Sequence, residues 1–364
     1  MDSVSIVRDE ATSGTHFVED LRLEWAVRCS VGRVRETNED AALAMPGTYL
    51  LADGMGGHDS GELASEAALL TLSAATSAGE LIETQKALID LLDEAQARIS
   101  DIETSSERRA GTTTTGAVLV TVEGEPHWLI LNIGDSRTYR FQRGTLQQLT
   151  RDHSQVQDFI DAGFLTPEDA RTDPRRNVIT RALGAGMIEP VADYFSTVAL
   201  PGDILLLCSD GLTGELPDDE IARILGDADG VVDAADELVD AALELGAHDN
   251  VTVIVVEVHE SVPTIRIPAV NGDADSAVAD GAEVDGAVAD DAGVDGAAVA
   301  GAAVEETGTH DAGVDDAGAH GAEDAGAHGA EHAGAHGAED AEASETRADG
   351  TATDGGNAEP TPEK

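Results

Sequence analysis

Between Leu23 and Val31 apolar residues alternate with polar ones and β-branched residues are frequent, which predicts a strand. Tyr49-Leu50-Leu51-Ala52, Asp203 to Cys208 and Val251 to Val258 are near-continuous apolar runs, the pattern of strands buried in a core. Thr112 to Val122 and His127 to Ile133 predict a strand pair turned at Glu123-Gly124-Glu125-Pro126. Thr138 to Leu149 predicts a hairpin around Arg143-Gly144. Three stretches switch to helical spacing rich in Ala and Leu: Glu62 to Ala78, Glu80 to Ile102 and Val231 to Leu245. Residues 151–190 are polar and broken by Pro167 and Pro174, and predict short helices and a loop projecting from a sheet. Strands, a helix pair, more strands, then helices and a last strand predict an α+β layered domain rather than alternating βαβ units.

Outside these elements the pattern fades. Residues 1–20 are expected to form a flexible acidic lead-in and residues 21–260 the folded domain. From Val270 onward the chain is nearly all Ala, Gly, Asp, Glu, Val and His, so 261–364 is expected to be a disordered tail with no core. An eight-residue repeat runs through it at Ala317–Asp324, Ala325–His332 and Ala333–Asp340. Its histidines, His320, His328, His332 and His336, offer at most a weak metal site, because flexible ligands lack fixed geometry.

Charge narrows the function classes. The formal net charge is -51, from 72 acidic against 21 basic residues. The tail, 261–364, holds 24 acidic and 3 basic residues, which leaves 48 against 18 in front of it. Such a surface repels phosphate backbones and anionic lipid, so nucleic-acid and membrane-surface binding are not expected. The only cysteines, Cys29 and Cys208, sit in apolar strand sequence and read as buried thiols of a reducing compartment. No secretory signal or run of about 18 apolar residues is present, and a cytoplasmic protein is expected. The Asn250-Val251-Thr252 sequon is then coincidental.

Three aspartates stand where an apolar run meets a small or polar residue: Ala52-Asp53-Gly54, Ser209-Asp210-Gly211 and His248-Asp249-Asn250. A carboxylate fixed at a strand end, beside a glycine that admits a close carbonyl, suits a hard cation. Each pair alone reads equally well as an ordinary turn. Arg35-Glu36-Thr37-Asn38-Glu39-Asp40 and Gly134-Asp135-Ser136-Arg137 are likewise only charged turns when taken singly. The glycines at 54–57 do not form a nucleotide loop, since no Lys-Ser/Thr follows them.

In order along the chain, however, Arg-x-x-Asn-Glu-Asp, Ala-Asp-Gly-Met-Gly-Gly-His, Gly-Thr-Thr, Gly-Asp-Ser-Arg, Ser-Asp-Gly-Leu and Asp-Asn resemble the protein phosphatase 2C family of metal-dependent serine/threonine phosphatases, in its bacterial branch. The resemblance spans roughly Leu23 to His259. It implies a four-layer αββα sandwich, a central antiparallel β-sandwich flanked by helices, with metals at one end. By motif position, Asp53 would bridge two Mn²⁺ or Mg²⁺ ions and the Gly54 carbonyl would contact one. Glu39 would lie in or beside one coordination shell, with Asp40 supporting it from behind, and Asp210 and Asp249 would complete the other. Asp135 with Asp210 matches the place of a third, looser ion, and Arg35 matches the phosphate-binding arginine. The resemblance further implies in-line attack by a metal-bridging hydroxide on phosphoserine or phosphothreonine, without a covalent intermediate. Met55 occupies the position where some members carry a histidine acid, and it cannot donate a proton. His58 is offset from that position and is expected to be structural, His153 to pack or cap a helix, and His248 to lie at the surface or behind the ligands.

The expected protein is thus an active, monomeric phosphatase acting on phosphoproteins and opposing serine/threonine kinases. A non-catalytic phosphoprotein-binding module on the same fold is disfavoured because every ligand position is acidic. A dedicated phosphatase of a sigma-factor partner switch is disfavoured by the complete arginine motif. Arg171, Arg175, Arg176 and Arg181, in the segment matching the family's variable flap, are the candidates for attracting phosphopeptides to so acidic a surface.

Overall fold

The apolar strands are buried on two faces, and each face belongs to a different core. In Val251–Glu260, Val251, Val253 and Val255 point toward Leu238, Val239 and Ala242 of the helix Val231–Leu245. Ile254, Val256 and Val258 point the other way, into a second core with Tyr49, Leu51, Trp128 and Ile130. Period-two alternation within an almost entirely apolar run therefore feeds two layers at once. Thr48–Ala52 repeats the device. Tyr49 and Leu51 face the middle core, while Leu50 and Ala52 face the helices Asp59–Leu72 and Leu81–Ser100.

The result is an αββα sandwich, as the resemblance implied. The computed structural model describes residues 5–57, 59–103 and 109–261. One sheet runs, in spatial order, Ala11–Val18, Leu21–Ser30, Val251–Glu260, Ile204–Cys208, Arg137–Gln142 and Thr145–Gln148. The other runs Asp193–Val198, Glu125–Ile133, Thr114–Val122, Thr48–Ala52 and Ala41–Met45. Every neighbouring pair in these two orders is antiparallel. The helices Asp218–Asp227 and Val231–Leu245 cover the first sheet, and Asp59–Leu72 with Leu81–Ser100 cover the second. Both predicted hairpins close through two residues with positive φ, Glu123-Gly124 (54° and 87°) and Arg143-Gly144 (50° and 77°), the turn geometry that matches strand twist. In the 151–190 segment, Ser154 caps Gln155–Asp161 and Thr166 caps Pro167–Ala170, which starts on a proline.

One expectation fails at the amino terminus. Residues 11–18 are not a flexible lead-in. They form an edge strand paired along its length with Leu21–Ser30, and Val7 exchanges two backbone hydrogen bonds with Ala42. An edge strand with one solvated face needs few apolar residues, so its polar sequence hid it. Gly14 lies flat against the Trp25 indole, where a Cβ would come within 3.0 Å. The expected tail, apart from Ser261, lies outside the described residues, as does His58.

Candidate active site

Strand register brings the motif residues to one end of the sandwich. Ala41 pairs with Ala52, so Asp40 and Asp53 leave adjacent strands side by side. Arg137 pairs with Cys208, which sets Asp135 near Asp210. Val251 pairs with Ser30, so Asp249 and the Arg35 loop emerge together. Acidic residues separated by up to about two hundred positions thus converge at strand ends and in the loops beside them, with Asp210 opening the short helix Asp210–Thr213.

The Gly-Thr-Thr motif holds Asp53 by its backbone. The Thr113 N–H and the Thr112 hydroxyl both donate to the Asp53 carbonyl at 2.8 Å, and the Asp53 N–H donates to Thr113 Oγ1 at 3.1 Å. Thr113 Oγ1 in turn lies 2.7 Å from Ser136 Oγ, in the loop that carries Asp135. Asn250 anchors the Arg35–Asp40 loop. Its Nδ2 donates to the Val31 and Thr37 carbonyls at 3.0 Å, and its Oδ1 accepts from the Glu39 N–H at 2.9 Å. The Glu39 carbonyl accepts from Ser65 Oγ at 2.7 Å. The motifs carrying Thr113, Ser136 and Asn250 were visible in the sequence, but no role was assigned to those residues or to Ser65.

The Asp-Gly glycines are not turn glycines here, since neither Gly54 nor Gly211 has a positive φ. They are places of close approach. A Cβ on Gly54 would lie 2.3 Å from the Gly61 carbonyl and 2.5 Å from that of Glu39. On Gly211 it would lie 1.9 Å from the Asn250 carbonyl. Gly211→Ala is therefore expected to cost at least about 3 kcal/mol, since backbone rather than a movable side chain is struck. An unchanged urea midpoint would contradict that contact.

Electrostatics show the carboxylates crowding one another. Burial lifts the Asp53 carboxyl well above its ordinary pKa, and Asp40, Asp210, Asp135 and Asp249 lift it further. Asp135 is raised by burial and then by Asp210 and Asp152. Asp40 is pushed up to about 7 and Asp210 to about 6, each chiefly by burial. Ser209 and Thr252 lie near enough to Asp40 to favour its charged form, yet neither closes a hydrogen bond onto it. Both Asp40 oxygens and Asp135 Oδ1 are buried without a hydrogen-bond partner among the described residues. Little positive charge opposes this. Arg35 is half-exposed at the mouth and donates to Asp249 Oδ2 at 2.6 Å. The Arg137 guanidinium is spent on Asp152 (2.7–3.0 Å) and on the Tyr139 hydroxyl (2.8 Å). A converging, all-oxygen, anionic set with unpartnered buried oxygens fits a hard divalent cation. Glu24, Glu257 and His259 also gather, but toward the far end of the last strand, where the imidazole lies 3.6 Å from both carboxylates.

The remaining expectations divide. His153 is buried, as expected of a packing residue: its Nδ1 accepts from the Gly134 N–H and its Nε2 lies 3.1 Å from Asp193 Oδ2. His248 is exposed and bonded to Glu215, so it is a surface residue. The flap arginines are mostly committed elsewhere. Arg171 donates to the carbonyls of Thr213, Glu215 and Leu216, and Arg181 pairs with Asp193. Arg175 pairs with Asp173 and stacks 4.3 Å over Phe159. Arg176 alone of the four is exposed with no side-chain partner among the described residues.

An αββα sandwich with a cluster of strand-end carboxylates at one end defines a cation-binding α+β protein. The chain belongs to the protein phosphatase 2C family, whose model matches residues 33–249. It is 38% identical over 262 residues to the serine/threonine protein phosphatase PstP of Mycobacterium tuberculosis, covering 70% of this chain and 49% of that protein. The chain thus spans about half the length of that relative. It is 37% identical to the serine/threonine phosphatase stp of Listeria welshimeri over 238 residues, 63% of this chain and 94% of the relative. Among solved structures, the catalytic domain of PstP in complex with two manganese ions superposes with a TM-score of 0.56 at 35% identity. That match covers 66% of this chain and all of the other.

Proposed function

We propose that this chain is a divalent-cation-dependent protein serine/threonine phosphatase. The convergence of Asp40, Asp53, Asp135, Asp210 and Asp249 on one buried centre carries the reading, and the manganese in the similar PstP domain supports it. Asp53, Asp210, Asp249, Glu39 and the Gly54 carbonyl would hold two Mn²⁺ or Mg²⁺ ions, and Asp135 with Asp210 a third. Such ions supply Lewis-acid stabilisation of phosphoryl oxygens and acidify a coordinated water.

The chain's own residues do the rest. Arg35 engages Asp249 through one terminal nitrogen, and its side chain is half-exposed. A guanidinium there binds two phosphate oxygens in a fork that also orients the ester for in-line displacement. Asp40, fully buried, stands behind Glu39 and beside Asp210 and Asp249, whose charges help to raise its pKa. Among the described candidates, Met55 has no proton to give, both nitrogens of His153 are engaged and His248 is at the surface, which leaves water to protonate the leaving alcohol.

Residues 21–260 would form the catalytic domain, extended at its amino end by the strand Ala11–Val18. Phosphoproteins and the serine/threonine kinases that modify them are the proposed partners, with the chain acting as a monomer. Two free, buried cysteines support a reducing, cytoplasmic setting, and no helix of the described residues is long and apolar enough to cross a membrane. The deciding assay is phosphate release from a phosphothreonine peptide with and without Mn²⁺. Release that ignores chelator, or a trapped phospho-enzyme, would sink this reading.

Among the flap arginines the pairing pattern singles out Arg176 for substrate attraction. Arg176→Ala is expected to raise KM on phosphopeptides by about two- to fivefold, the size of a rim-charge effect, and to leave KM for an aryl phosphate unchanged. Arg175→Ala, whose charge Asp173 already balances, is expected to have the smaller effect. Equal KM changes on both substrates would refute the assignment.

A further inference from the structure

The amino-terminal segment lies outside the residues matched by the family, 33–249, yet it reaches the back of the proposed cation centre. Val7 is fixed to Ala42 by reciprocal backbone hydrogen bonds of 2.9 and 3.0 Å, and the Cys29 thiol donates to its carbonyl. From that fixed root the Arg8 side chain, only 14% exposed, runs inward. Nη1 donates to the Asn38 carbonyl at 2.7 Å. Nη2 donates to the Glu62 carbonyl at 3.1 Å and to Ser65 Oγ at 3.3 Å. Asn38 is the residue before Glu39, and Ser65 is the residue whose hydroxyl holds the Glu39 carbonyl. One planar guanidinium therefore ties both flanks of Glu39 to the first turns of the helix Asp59–Leu72. Asp9 adds a second tie: with a φ of 55°, its Oδ1 accepts from Asn38 Nδ2 at 2.8 Å.

Asn250 holds the loop at Thr37 and Glu39. Beside Arg8 an open cleft of about 490 Å³, lined by Arg8, Asp9, Glu36, Thr37, Asn38 and Glu62 among others, borders the loop. A loop bordered by an open cleft takes its position from directed hydrogen bonds, and a fork with donors in one plane fixes position better than a single ammonium. Gly61, next to Glu62 on the helix Asp59–Leu72, stands against the Glu39 carboxylate and Gly54 against the Glu39 carbonyl, with no room for a Cβ at either. A slack Asn38–Glu39 backbone would shift a carboxylate that those glycines have been cut to fit.

We infer that Arg8 is a positioning residue for the cation centre: it sets the Glu39 arm through Asn38 and Ser65 and so tunes divalent-cation affinity from outside the residues that the family model matches. This rests on the proposed cation-dependent reading. Groups that orient metal ligands typically change metal affinity about 10- to 100-fold when lost. Calorimetric titration of the full chain with Mn²⁺ is expected to give Arg8→Ala an apparent Kd weaker by about tenfold, at the low end of that range. Arg8→Lys, which keeps the charge but cannot span Asn38, Glu62 and Ser65 together, is expected to fall in between at about threefold. Turnover of a phosphopeptide at saturating Mn²⁺ should stay within about twofold for both, because Arg8 touches no substrate. Chelated melting curves establish that each variant is folded, and Arg8→Lys carries the test if Arg8→Ala is not. A folded Arg8 variant that melts lower but binds Mn²⁺ as the parent does would overturn the inference. A parent chain that binds no Mn²⁺ would overturn the proposed function, and the inference with it.

Discussion

Asp53→Asn is expected to lower kcat by at least about 10³-fold, roughly 4 kcal/mol of lost transition-state stabilisation, while making the cation-free fold more stable. The two effects share one cause. Asp53 sits among Asp40, Asp210, Asp135 and Asp249, and its charge is opposed by all four and by burial. Neutralising it removes repulsion that only a cation would otherwise offset, so the chelated variant should melt above the chelated parent. Its backbone anchors, Thr112 and Thr113, do not involve the carboxylate and survive the change. Loss of turnover therefore cannot be ascribed to a displaced loop. Kcat at saturating Mn²⁺ and melting in chelator check both halves. Retention of more than a tenth of parental turnover would mean that the chemistry does not run through Asp53. A variant that is inactive but melts lower would mean that the carboxylates are not in mutual repulsion.

The parts of this centre that could be read in the sequence are those with a local signature. Asp53, Asp210 and Asp249 follow or precede runs whose apolar content marks a strand end, and register did the rest. The hairpins at Glu123-Gly124 and Arg143-Gly144 were legible because turn chemistry is a property of two adjacent residues. What escaped was held by contacts without local pattern. Asn250 reaches Glu39 across 211 positions, and Arg8 reaches Glu62 across 54. Arg8 does not differ locally from any surface polar residue, and the Asp-Asn motif marked Asn250 without showing what it holds. The strand Ala11–Val18 escaped for a related reason, since its stability comes from the backbone of Leu21–Ser30 and not from its own apolar content. The flap is the instructive middle case. Its arginines were visible, but whether a guanidinium is free depends on partners such as the Thr213 and Leu216 carbonyls, more than forty positions away.

Stability of the chelated protein is expected to fall as pH rises from about 5 to 8, and Mn²⁺ should reverse the fall. The direction follows from linkage. Asp210 titrates at about 6 and Asp40 at about 7 in the folded chain, against 3.8 when exposed, and Asp53 and Asp135 are raised as well. Between the unfolded and folded values the folded state binds more protons, so raising the pH favours unfolding. The stabilising protons are fully present below about 4 and are lost as pH climbs through 6 and 7. Acid unfolding from depressed carboxylates elsewhere lies below this window, since Asp173, for instance, titrates at about 2. A divalent cation replaces those protons. At a hundredfold excess over Kd it adds about 2.7 kcal/mol, which for a domain of this size is a Tm increase of roughly 5–10 °C. Protons compete with the cation for the same oxygens, so the increase should be largest at pH 8 and smallest near pH 5.5. Thermal melts at pH 5.5, 7 and 8, in chelator and in Mn²⁺, measure all of this at once. A shift that is equal across the series would mean that cation and protons do not share a site, and the carboxylate cluster would then have to be explained without a metal.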